Sequence, residues 1–185
     1  LRKHEYVYSY NPPKNLTVLD TSNLPPAQAV PILMYHGIVS DTETDPLKIG
    51  TNAKRKDFIA QMEMLKENGY QTISITDYDL WRQNKFTLPP KPIIITFDDA
   101  RKDSYYPVDE VLKKLGFKAT NFVVTARTID NDPFFLNWKE LKTMQASGRW
   151  ELEAHGRNSH DKFIENANGD IGSFLTALKY SPKTG

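Results

Sequence analysis

The chain has 185 residues, enough for one domain with a real core, and its 39% hydrophobic and 25% charged composition is that of a soluble globular protein. Lys and Arg (24) nearly balance Asp and Glu (23), and no basic run with interleaved aromatics marks a nucleic-acid surface. Cysteine is absent, which excludes disulfides and a thiolate zinc site, and no apolar run reaches the length of a membrane span.

The sequence opens at Leu1 with no signal peptide, and so reads as a piece of something longer, with any export signal or anchor already removed. Residues 1–30 show no sustained periodicity and carry Pro12, Pro13, Pro25 and Pro26, which predicts an extended lead-in along the surface of a domain that begins at residue 31. Ile32 to Tyr35 is a short apolar strand ending at His36-Gly37. Residues 57–68 place Phe58, Met62 and Leu65 at helical spacing, with Gly69 as the stop. Residues 70–75 follow as a strand. Residues 80–88 mix aromatics with Arg82, Gln83, Asn84 and Lys85, and Pro89-Pro90 resets the chain.

Pro92 to Asp99 is the stretch around which the rest is organised. Its β-branched and aromatic residues suit a strand buried on both faces, yet it ends in two adjacent carboxylates. Each costs several kcal/mol to desolvate unless paired or bound, so both belong at the strand's C-terminal mouth, where parallel sheets place their ligands. Neighbouring residues of an extended strand point opposite ways, so Asp98 and Asp99 divide the work unless the strand breaks there. The plainer alternative is a strand end followed by an N-cap for the next helix.

Residues 104–115 predict a helix with Val108, Val111, Leu112 and Leu115 on one face and Gly116 as its stop. Residues 118–124 form a strand. Residues 137–146 read as a helix with Asn137 as N-cap and Glu140 in capping-box position, and residues 150–155 alternate as a strand. Strands and helices joined by short connections argue for right-handed βα units, an α/β fold with a mainly parallel sheet of about five strands.

His155 closes the last strand and His160 follows in the turn beyond it. One aspartate and two histidines on a shared rim make the facial ligand set that leaves positions on a divalent cation open.

Thr96-Phe97-Asp98-Asp99 followed by a histidine-rich loop resembles the polysaccharide deacetylases of the NodB-homology type, carbohydrate esterase family 4. Leu33-Met34-Tyr35-His36-Gly37 and the spacing from Asp99 to the histidines support the resemblance over residues 31–185. Four residues separate His155 from His160, which looks like the branch acting on poly-β-1,6-N-acetylglucosamine. The resemblance implies a distorted TIM-like (β/α) barrel and hydrolysis of N-acetyl groups from a cell-surface or biofilm polysaccharide. It also implies Asp98 as general base, Asp99, His155 and His160 as ligands of zinc (or cobalt, nickel or iron), and a secreted or cell-surface bacterial setting. Tyr105, Tyr106 and Trp138 are candidates for a sugar-stacking rim.

Two departures stand out. Ala100 replaces the family's glycine after the aspartate pair, and the later arginine and histidine motifs do not occur before Gly185. The expectation is a barrel incomplete at its C-terminus, with the remainder supplied as a separate fragment or chain and with His36 standing in for the missing acid. Two other readings are a glycoside hydrolase pairing Asp98 or Asp99 with Glu151 or Glu153, and a non-catalytic glycan-binding domain.

Overall fold

The computed structural model describes residues 9–45, 50–158, 161–173 and 181. Residues 9–31 contain no helix or strand. They are pinned where the Leu19 N–H donates to the Glu67 carbonyl and the Ala27 N–H to the Pro89 carbonyl. The main sheet is parallel throughout and runs β1 (Ile32–Tyr35), β5 (Pro92–Asp99), β6 (Ala119–Val123), β7 (Trp150–Ala154), with β4 (Gln71–Thr72) pairing the first residues of β5. Two small ribbons accompany it. One pairs β2 (Ile38–Val39) with β3 (Ala53–Lys54), and the other pairs β8 (Lys162–Ile164) with β9 (Ile171–Ser173).

β5 is central because five of its eight residues have the branched or aromatic side chains that fill a two-sided strand, and all but Asp98 are buried. On one face Ile93, Ile95 and Phe97 meet Phe58 and Met62 of α1 (Arg55–Glu67), Val111 and Leu112 of α4 (Asp109–Leu115) and Met144 of α6 (Trp138–Ala146). Phe58 and Met62 are fully buried, each worth about 1.5–3 kcal/mol of burial. On the other face Ile94 packs with Ile73 and Leu88, and with Tyr78 and Trp81 of α2 (Ile75–Arg82). β1 shares this face through Ile32 and Met34, which are 53% and 63% exposed. No closed barrel forms among the described residues; β1 and β7 are the edges of an open sheet.

The expected helix at 104–115 is two helices, α3 (Lys102–Tyr105) and α4. Pro107 lacks the N–H that the next turn would need, and the chain turns through residues 106–108. The strand expected at 70–75 ends at Thr72, because Ser74 caps α2: its side chain accepts from the Asp77 N–H while Asp77 accepts from the Ser74 N–H. A short α5 (Thr125–Ile129) follows β6.

Candidate active site

Parallel strands deliver their C-terminal ends to one rim, and the helices that follow begin there. The backbone of Asp99 and Ala100 turns left-handed, with φ of 77° and 55°, although neither residue is glycine. For a residue with a Cβ this conformation costs on the order of 1–2 kcal/mol, and the surroundings hold it. Ala100 is fully buried, and its carbonyl accepts from the Leu136 N–H at 2.9 Å. β5 keeps its register with β6 through Asp99, opposite Val123, but the positive φ of Asp99 takes its backbone out of regular strand geometry, so simple alternation does not set its direction.

Each carboxylate consequently faces a histidine from a different strand end. Asp98 Oδ2 lies 3.9 Å from Nε2 of His36, which follows β1, and Asp99 Oδ1 lies 3.6 Å from Nε2 of His155, which follows β7. Both carboxylates are nearly enclosed, at 14% and 11% side-chain exposure, whereas the imidazoles are more open at 22% and 31%. His155 is fixed at its backbone, where its N–H donates to the Val123 carbonyl at 2.9 Å.

The fit of a divalent cation can be judged from Asp99 and His155. Two ligands bonded at about 2.0–2.2 Å to a common tetrahedral or octahedral ion sit roughly 3–3.5 Å apart, so the observed 3.6 Å requires only a slight closure. A carboxylate and an imidazole are also the donor types such an ion takes. His160, the third expected ligand, lies outside the described residues, and among those described no group of three acidic or histidine side chains is close enough to enclose an ion.

The aromatic candidates separate. Tyr105 is 8% exposed and packs edge-on against Trp150, so it has little surface to offer a sugar. Tyr106 is half-buried, and its hydroxyl donates to Glu140 Oε1; burial and that carboxylate push the phenol well up. Both line a cavity of about 450 Å³ with Asn137 and Glu140 at the start of α6. Trp138, the first residue of α6, is 50% exposed. A cavity of about 660 Å³ lies at the opposite ends of the strands, between Val18–Ser22 and Tyr70–Thr72, and contains none of the candidate residues.

Glu151 is committed elsewhere. Its carboxylate accepts from the N–H groups of Ile75 (2.7 Å) and Thr76 (3.1 Å) and from the hydroxyls of Thr76 and Thr120, closing the N-terminus of α2. It is therefore unsuited to act as a glycosidase acid. Glu153 shares Asp98's row of the sheet, two strands away.

One feature of this rim has no counterpart among the residues singled out from the sequence. Arg101 grips Asp103 through two hydrogen bonds, Nε to Oδ1 at 2.9 Å and Nη2 to Oδ2 at 2.6 Å, with both side chains almost buried. Burial pushes the Asp103 carboxyl up, Arg101 pulls it back down, and the charge of Asp99 adds to the rise. An arginine two residues before an aspartate at a helix start was the available signal.

Residues 85–175 match the family model described as polysaccharide deacetylase, and the chain belongs to that family. YxkH of Bacillus subtilis strain 168, named as a polysaccharide deacetylase, is 38% identical over 126 residues, which are 68% of this chain and 42% of that protein. A poly-β-1,6-N-acetyl-D-glucosamine N-deacetylase of Staphylococcus aureus is 27% identical over 113 residues, 60% of this chain and 39% of its own. A solved de-N-acetylase from Aggregatibacter actinomycetemcomitans superposes with a TM-score of 0.73 at 24% identity, covering 82% of this chain and 63% of the other, which establishes a shared fold. The chain spans about two fifths of the length of the curated relatives it matches.

Proposed function

We propose that the chain carries the site of a metal-dependent N-deacetylase acting on a bacterial surface polysaccharide of N-acetylglucosamine type. The carrying observation is the pair of carboxylate–imidazole contacts that meet at the end of β5, in a chain whose family is named for this reaction. Similarity to a poly-β-1,6-N-acetyl-D-glucosamine N-deacetylase supports the glycan class; a surface polysaccharide as substrate would put the chain outside the cytoplasm.

Asp99 and His155, with His160, would hold the cation, zinc ahead of cobalt, nickel or iron. When bound there, the ion would supply Lewis acidity, lowering the pKa of a bound water and polarising the acetyl carbonyl. Asp98 is placed to take the proton from the attacking water, because it stands beside Asp99 yet contacts a different histidine. The water oxygen bonds to the acetyl carbon, the carbon–nitrogen bond breaks, and the leaving nitrogen needs a proton. His36, across the opening from Asp98, can supply it. Acetate and a free amine result. Trp138, exposed on the same rim, can stack on a neighbouring sugar ring.

Acetate release from a β-1,6-linked N-acetylglucosamine oligomer tests this, measured before and after chelation and after readdition of zinc. Release that stops with the chelator and returns with the metal is expected. Release that survives chelation, or cleavage of the glycan itself, would contradict it.

A further inference from the structure

Behind the rim lies a contact that the deacetylation chemistry leaves unused. Gly37 follows His36, and a Cβ at position 37 would stand 2.6 Å from Arg101 Nη2 and 2.6 Å from Asp103 Oδ2, closer than such atoms approach. Only a glycine lets the loop after β1 rest against this ion pair. Its guanidinium carbon also stands 4.7 Å from the centroid of Phe134. The Lys102 N–H donates to the Phe134 carbonyl, so the backbone next to Arg101 is tied to the same segment.

The loop that rests on the pair is itself fastened. The Gly37 N–H donates to Asn52 Oδ1 at 2.9 Å, and the Ala53 N–H donates to the Gly37 carbonyl at 3.1 Å. The arginine and aspartate thus touch the residue after His36 from one side. On the other, Arg101 directly continues the left-handed turn of Asp99 and Ala100. An ion pair with two parallel hydrogen bonds has one geometry, unlike a single contact that can pivot.

We propose that Arg101 and Asp103 are positioning residues of the deacetylation site, a rigid clasp that sets His36 at its distance from Asp98. The proposal rests on the deacetylase reading but concerns residues which that reading does not employ. Asp103 needs Arg101 for a second reason: alone, it would be a buried carboxylate close enough to feel Asp99, and the turn would have to shift to give it water.

Amide hydrogen exchange and kinetics on the same preparations test the clasp, using Arg101→Gln, Arg101→Lys and Gly37→Ala. Exchange at position 37 and at Ala53 is expected to quicken by about ten-fold or more in all three, while Ile95 in β5 keeps its protection and shows that the fold survives. With the glycan oligomer, kcat falls by about ten-fold or more at unchanged KM and unchanged zinc content, as expected when reacting groups are misplaced by a fraction of an ångström. Lysine at position 101 keeps the charge but not the fork, so it restores little. Wild-type activity together with full turnover in Arg101→Gln, or unchanged exchange at position 37 and at Ala53, overturns the clasp while leaving the deacetylase reading intact. A wild-type protein that releases no acetate overturns the deacetylase reading, and the clasp's role with it.

Discussion

His155 illustrates how little of the core a site residue here supports. It sits past the end of β7, 31% exposed at its side chain, and its backbone is held independently by Val123. His155→Ala is expected to lower zinc affinity by at least about ten-fold and abolish acetate release while the melting temperature stays within a few degrees, by calorimetry and metal analysis. His160→Ala is expected to behave the same way. Tyr35 is a different kind of residue. Its ring stacks on Phe97 at 5.3 Å and meets Phe58 edge-on, and burial pushes its phenol up to about 12. An acid whose pKa is raised by folding contributes stability that is complete below its unfolded value near 10 and is lost as pH rises through 12. The melting temperature should therefore fall as pH climbs through that window, and Tyr35→Phe should flatten the fall.

At the scale of elements, what could be read in advance depended on whether the signal was local. β5 announced itself because Pro92, three isoleucines and Phe97 suit a buried strand and nothing else, and α6 did so through the Asn137 and Glu140 box, which forms as expected. Ser74 and Asp77 made an equally clear box, but the aromatic and polar mixture after it obscured the helix that it starts. The Asn168-Gly169 pair, with Gly169 at φ 86°, marked the β8–β9 hairpin, yet its strands are too short to alternate visibly. The sequence put His36 and Asp98 in one site only through the resemblance; their direct contact could not be read from local pattern. It depends on β1 lying beside β5, a neighbour relation that no local pattern encodes. Glu151 shows the same limit: a strand glutamate that looked like a candidate acid is a cap for a helix far away in sequence. Glu151→Gln is expected to cost about 2 kcal/mol in chemical denaturation, because an amide brings N–H groups against backbone donors, and to leave zinc content unchanged.

Among the described residues the main sheet is open and parallel, and its rim gathers residues from three separate strand ends. With edges at β1 and β7 and with Ile32 and Met34 exposed on one face, the sheet has room for further structure there. A longer chain carrying the family's later motifs is expected to release acetate several-fold faster than residues 1–185; equal rates would mean that the present residues suffice. The division of labour between the two aspartates remains the centre of the account, and its most direct measurement is zinc content and acetate release in Asp98→Asn and Asp99→Asn side by side. Asp99→Asn should lose the metal and with it turnover, whereas Asp98→Asn should keep the metal and still lose turnover. Equal loss of zinc in both variants, or turnover preserved in Asp98→Asn, would contradict it.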